Sequence, residues 1–262
     1  MHPRAARALG RETRGKTAPG RLRRLDAFVC AVLPELIRRP GPAPFVDLGF
    51  GWLPLTTADA ARTFRVLNPA LQVVGTEIVP ERVQAAQAWA DPQTRFLLGG
   101  FEVDPGQPAR LIRAANVLRQ YGEDEVAGAW AAMGAHLEEG GWLLEGTSDP
   151  SGRVMVFNTL QKRGGALLPE GLLFSLSPRE PFEPSVLQPR LPKNYIHRAV
   201  PGEPVHDFIE AWHRAWLAHR HLEVFGRRQV WAETARALAR DWPIDRRRWL
   251  LRRGYLWLRR SP

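Results

Sequence analysis

Between residues 44 and 147 the chain alternates short apolar, β-prone runs with amphipathic helical stretches, and this alternation restricts its possible folds more than any other feature. Runs at 44–49, 71–77, 94–99, 109–117 and 141–147 read as strands; stretches at about 55–67, 80–90 and 123–138 read as helices. Buried strands joined by helices cross over right-handedly, which builds a mostly parallel sheet with helices on both faces. The expected architecture is α/β and doubly wound. Ahead of it, Leu25, Phe28, Val29, Val32, Leu33 and Leu36 mark one face of a helix ended by Arg39-Pro40-Gly41-Pro42. Behind it, Val154-Met155-Val156-Phe157 and Leu172-Leu173-Phe174-Ser175-Leu176 read as two more strands, suited to an antiparallel edge, for seven in all.

Three regions are expected. Residues 1–24 form a basic arm without apolar periodicity, and residues 25–177 form the sheet domain with its N-terminal helix. Residues 178–262 form a Pro-rich connection and a helical, basic extension. In that extension Val205, Phe208, Ile209, Trp212 and Trp216 share a helix face, and a second helix follows at about 228–240. The tail at 246–258 suits a hairpin or a helix equally.

With 262 residues, 44% of them apolar, the chain can bury a full core. Its net charge of +10 is unevenly placed: +7 over residues 1–25, +6 over 240–262 and −3 between them. The body is therefore no basic groove, and RNA is the macromolecular partner that the basic ends would suit. Alternatively, 34 arginines against three lysines reflect genome base composition. Cys30, the one cysteine, lies in an apolar helical stretch, where it reads as a packing residue in a reducing, cytoplasmic setting. No apolar run approaches the roughly 20 residues that span a bilayer, so no membrane association is expected. His206, His213, His219 and His221 lack the i, i+4 pair of a helical zinc site, and no metal is expected.

The chemistry-bearing signal sits at the end of the first strand. Asp47-Leu48-Gly49-Phe50-Gly51 places glycines where a backbone can approach a ligand, and Glu77 ends the second strand, where an acid can hold ribose hydroxyls. A dinucleotide pyrophosphate on this loop would be repelled by Asp47, whereas the ammonium and sulfonium of S-adenosylmethionine would be attracted. Pro54, where a dinucleotide fingerprint has its third glycine, also disfavours NAD. Thr56 and Thr57 are placed either to donate to a cofactor carboxylate or to cap the helix.

Val46-Asp47-Leu48-Gly49-Phe50-Gly51 resembles the first motif of the class I S-adenosylmethionine-dependent methyltransferases, and Gly75-Thr76-Glu77-Ile78 resembles the second. Gly99-Gly100-Phe101-Glu102 falls where that family has a polar group near the adenine amino group. Glu138-Glu139-Gly140-Gly141-Trp142-Leu143-Leu144 is similar to its turn into the fifth strand. The resemblance covers about residues 44–177, with Leu53 standing where longer forms of the first motif have a third glycine. It implies a seven-stranded sheet and S-adenosylmethionine bound by Asp47, Gly49, Phe50, Gly51, Thr56, Thr57, Glu77, Ile78, Phe101, Glu102 and Asn116.

The acceptor side would be formed by Asn116, Arg119 and Tyr121, a segment that is locally similar to chemotaxis-receptor carboxyl methyltransferases. It lacks the Asn/Asp-Pro-Pro-aromatic motif of many amino-methylating enzymes. The leading reading is methyl transfer to a small molecule or RNA. A methyltransferase-fold protein that binds RNA or a partner without catalysis comes next, and a nicotinamide-dependent oxidoreductase last. The sequence names neither the acceptor atom nor an oligomeric state.

Overall fold

The computed structural model describes residues 10–102 and 104–259; Arg4 and Arg7 of the arm and Arg260 of the tail lie outside these. Helix α1 (Arg23–Val32) stops where Pro34, lacking an N–H, begins the short α2 (Pro34–Arg38), so the single helix expected over 25–37 is two. Strand and helix then alternate through β1 (Phe45–Leu48), α3 (Leu55–Arg65), β2 (Val73–Glu77), α4 (Pro80–Ala86), β3 (Thr94–Leu98), β4 (Ala109–Ala115), α5 (Val126–Ala135) and β5 (Leu137–Ser148). Two long strands follow, β6 (Val154–Arg163) and β7 (Ala166–Leu176). After the Pro-rich stretch come α6 (Lys193–Ile196), α7 (Pro204–His219), α8 (Arg227–Leu238), α9 (Arg248–Arg252) and β8 (Tyr255–Arg259).

All eight strands form one sheet in the order β3-β2-β1-β4-β5-β6-β7-β8. The first five are parallel, and β6, β7 and β8 continue antiparallel. The expected seven-stranded sheet is corrected to eight, because the tail turns once as α9 and then pairs with β7. The C-terminal extension is thus helical only as far as α9. The Glu138–Gly141 stretch, expected as a turn, lies inside β5, where the pairing shifts register between Ala109 and Leu111 and Gly140 takes a φ of 80°.

Every residue of β1 and β2 is buried, as a strand covered on both faces requires. On one face, Phe45, Leu111, Phe157, Leu173 and Trp257 pack against α1 and α3. On the other, Val46, Ile112 and Leu143 meet α5. Farther along, Val156, Leu172, Phe174 and Leu256 meet α7 and α8 through Phe208, Trp212 and Trp231. Strand order reverses between β1 and β4, which opens a crevice at the carboxyl edge, the place where open α/β sheets bind ligands.

Candidate functional site

The chain leaves β1 through Gly49 and Gly51, at φ of 75° and 87°, a backbone region that favours glycine. The amides of Gly49 and Phe50 donate to the Thr76 carbonyl at 2.8 and 3.4 Å. The Phe50 ring is buried edge-on to Phe96, centroids 5.3 Å apart, so it anchors the loop from below. Pro54 precedes the first turn of α3.

Glu77, at the end of β2, is buried and preset by two amides: Gly51 donates to Oε2 at 3.0 Å and Ile78 to Oε1 at 2.9 Å. Beside it lies the buried Arg82 guanidinium, 3.6 Å from Oε2 and 4.7 Å from the centre of the Trp52 ring. Arg82 donates to Glu12 Oε1 and the Thr13 carbonyl, while its Nε and Nη1 are buried without hydrogen-bond partners among the described residues. Leu48, Ile78, Phe101, Val117 and Tyr121 wall the pocket, with the Phe101 and Tyr121 rings 5.5 Å apart. Glu102 Oε1 accepts from the Gly100 amide, and its Oε2 is buried without a partner among the described residues.

The basic arm crosses this edge. Gly10, Arg11 and Thr13 occupy the mouth of the Glu77 pocket and leave it about 20 Å³, room for one water. The Tyr121 hydroxyl accepts from the Arg11 amide, and the Arg11 guanidinium lies 4.8 Å above the Tyr121 ring while pairing with Glu125 at 2.8 Å. Gly15 accepts from the Trp52 amide at 3.0 Å and approaches Gly51 so closely that a Cβ there would meet the Gly15 carbonyl at 2.5 Å. Arg21 then donates to the carbonyls of Ser148 and Asp149, and Arg24 to the Ser175 hydroxyl.

A larger cavity of about 940 Å³ adjoins the loop, lined by Thr56, Asn116, Arg119, Ser148 and Arg190 among others. Asn116, at φ 61°, is the one described non-glycine residue with a positive φ, a conformation that asparagine tolerates. Its Oδ1 accepts from the Ser148 amide at 3.1 Å, which ties the ends of β4 and β5 together.

The expected residues therefore fall into two groups. Gly49, Glu77, Ile78 and Phe101 meet at the small pocket, with Glu102 next in the chain, while Phe50, Gly51, Asn116 and Arg119 border the large one. Tyr121, expected to face an acceptor, lines the small pocket instead. Burial raises the pKa of its hydroxyl, against the pull of the Arg11 amide and charge, which makes it a poor base near neutral pH. Asp47 borders the large cavity, but its carboxylate is already engaged. Thr56 and Thr57 donate to Oδ2 at 3.2 and 2.7 Å, and Arg113 donates to Oδ1 at 2.9 Å. The two threonine hydroxyls thus hold Asp47. Arg113 shares its one positive charge between Asp47 and Asp26, so the Asp47 charge is offset only in part.

Arg113 also pairs with Asp26 from α1, so one buried cation bridges two buried carboxylates. Burial works against the Arg113 charge, and the two aspartates outweigh it and raise its pKa. Burial pushes Asp26 up to about 7 against the pull of Arg113. Arg82, Arg113 and Asp26 were missed in the sequence. An arginine inside the apolar run Leu111-Ile112-Arg113-Ala114-Ala115 is the signal that marks one of them. Cys30 is half-buried, and burial pushes its thiol up to about 11. Among the described residues no group of three potential metal ligands forms, and no helix is long and apolar enough to cross a membrane.

No family model matches the chain, and no curated protein matches it. Solved structures do overlap it in part. One is a Plasmodium falciparum protein assigned as a candidate protein-L-isoaspartate O-methyltransferase, in complex with S-adenosyl-L-homocysteine. The match has 17% identity and a TM-score of 0.37, covering 55% of this chain and 67% of that one. Human N-acetylserotonin methyltransferase in complex with S-adenosylmethionine matches at 24% identity and a TM-score of 0.32, covering 48% of this chain and 37% of that one. The CMeT domain of the citrinin polyketide synthase matches at 20% identity and a TM-score of 0.39, covering 48% and 34%. The chain thus spans about a third of the length of the latter two.

Proposed function

We propose that the chain binds S-adenosylmethionine at the carboxyl edge of β1 and β2 and transfers its methyl group to an acceptor held in the larger cavity. The observation that carries this reading is Glu77, a buried carboxylate at the end of β2 with each oxygen fixed by one backbone amide. A carboxylate oxygen has more than one acceptor site, so lone pairs remain for a pair of ribose hydroxyls. Ile78, Phe101 and Tyr121 offer apolar and aromatic walls for the base. The residues present therefore fit the cofactor.

The space does not yet fit. A pocket of about 20 Å³ cannot seat an adenosine, so the Gly10–Thr13 stretch must move off Glu77 before the cofactor enters. The methionine end would then pass Gly49 and Gly51 toward the larger cavity. When bound, S-adenosylmethionine supplies a methyl carbon activated by its sulfonium. Asn116 and Arg119 position the acceptor at the carboxyl ends of β4 and β5, and proximity supplies most of the acceleration.

An RNA-embracing role for the basic ends loses support from these contacts. Arg21 and Arg24 of the arm donate to the carbonyls of Ser148 and Leu176, the exposed Arg11 pairs with Glu125, and Arg246, Arg247 and Arg259 of the tail bond to Ala239, Asp245 and Glu170. With the Asp47 charge partly offset by Arg113, Pro54 is the second argument against NAD, and both cofactors belong in the test. S-adenosylhomocysteine should raise Tm in proportion to RT ln(1 + [L]/Kd), and NAD should not. Stabilisation by NAD alone would replace this reading with the oxidoreductase. No response to either would leave the non-catalytic binder.

A further inference from the structure

The large cavity carries an imbalance of charge that the fold does not resolve. Arg14, Lys16, Arg21, Arg119 and Arg190 all line it, and among the described residues no carboxylate pairs with any of the five. Arg21 donates to carbonyl oxygens of Lys16, Ser148 and Asp149, and Arg119 to that of Pro189; none of these neutralises a cation. The Asp149 charge acts on Arg21, but its carboxylate is held by Ser151 and the Val154 amide. Asp47, the one acid among the described residues that line the cavity, is bound to Arg113.

Resting on the reading of the site as a methyltransferase, we propose that the acceptor is a small molecule bearing an oxyanion, carboxylate or phosphate, held by Arg119 and Arg190 in this cavity. Clustered guanidinium groups without counter-charges repel one another, and an oxyanion between them accepts charge-assisted, bidentate hydrogen bonds. Burial and the neighbouring Arg190 hold Arg119 below the usual arginine range. Burial acts the same way on Arg21, where Asp149 opposes it and Arg190 adds to it. The Arg190 charge therefore acts on both Arg21 and Arg119. At about 940 Å³ the cavity is at the upper end of the volume that one ligand fills, which leaves room for a small acceptor beside the methionine end of the cofactor. The arm covers this edge through the Gly15 contact with Trp52, which favours a compact ligand over a polymer.

The test titrates the full chain with inorganic phosphate and with acetate, following Tm, against chloride at matched ionic strength, with and without saturating S-adenosylhomocysteine. Phosphate, acetate or both should stabilise saturably where chloride does not. In Arg119→Gln/Arg190→Gln the oxyanion affinity should fall at least tenfold, while S-adenosylhomocysteine affinity stays within twofold. The Arg119→Lys/Arg190→Lys variant keeps the charge and loses the bidentate fork, so it should bind the oxyanion more weakly than wild type and more tightly than the Gln variant, which separates a charge effect from a fold defect. Unchanged oxyanion affinity in the Gln variant would overturn the proposal. So would a parallel loss of S-adenosylhomocysteine binding, which would assign these cations to the cofactor carboxylate. A single-stranded RNA that displaces phosphate with much tighter affinity would also overturn it. A protein that binds phosphate through these arginines but never S-adenosylhomocysteine would remove the cofactor reading and leave the oxyanion site standing.

Discussion

Removing the Arg113 side chain would leave Asp26 and Asp47 buried beside each other with no cation between them. Breaking such a buried arrangement costs on the order of 3–5 kcal/mol, so Arg113→Met should lower the unfolding free energy read from urea denaturation by that much at pH 8. A loss below about 1 kcal/mol would contradict the bridge. A second buried acid makes the opposite kind of prediction. Glu145 on β5 accepts from Asn158 Nδ2 at 2.9 Å, and burial raises it from its ordinary 4.5 to about 7. The folded state then holds a proton that the unfolded chain releases, so stability contributed by this group is present below about pH 4.5 and is lost as pH rises toward 7. Glu145→Gln should flatten that slope, gaining on wild type by up to roughly 3 kcal/mol between pH 5 and 8. Parallel curves of stability against pH would contradict the assignment. At this scale Glu77 was legible because its place after a β-rich run already implied a strand end. Asp26 was not, since its partner comes from a strand 87 residues along the chain.

The arm is the element whose behaviour matters most. Gly15 has φ of 64°, and a Cβ there would meet Trp52 Cδ1 at 2.7 Å and Arg82 Cζ at 2.9 Å. Gly15→Ala should therefore dislodge the arm, and protease cleavage near residues 10–20 should become faster. Because the arm closes the Glu77 pocket, S-adenosylhomocysteine association should also become faster in this variant by stopped-flow Trp fluorescence. An unchanged association rate would mean that the arm is no barrier. The sequence marked this stretch as basic and aperiodic, which is true of its composition. Its path was hidden because backbone carbonyls and single contacts to Trp52, Tyr121 and Glu125 fix it, and none of these leaves a periodic trace. Strands β6 and β7 were visible as apolar runs. Their extension to Arg163 and from Ala166 was not, because the end of β6 is polar, the start of β7 carries Pro169 and Gly171, and both are more exposed.

Across the whole molecule, the alternation of strands and helices over residues 44–147 announced the parallel half of the sheet, and β8 was the strand that periodicity could not separate from a helix. Tyr255 and Trp257 pack on one face while Leu256 and Leu258 pack on the other, so an apolar run with no polar face becomes an edge strand buried on both sides. Trp257 is buried against Phe28 at 5.4 Å and Trp142 at 6.4 Å, and Trp257→Ala should cost about 3–5 kcal/mol. Amide exchange at 255–259 should be as slow as in β7; fast exchange there would detach the tail from the sheet. We propose Glu77 as the ribose-binding acid of an S-adenosylmethionine site. The direct test is calorimetric titration of wild type and Glu77→Ala with S-adenosylhomocysteine, each variant checked for folding by circular dichroism. Wild type should bind at one site per chain, and the substitution should weaken binding by about 1.5–3 kcal/mol, the worth of a charge-assisted hydrogen bond. Equal affinity in a folded Glu77→Ala protein, or no binding by wild type, would contradict it.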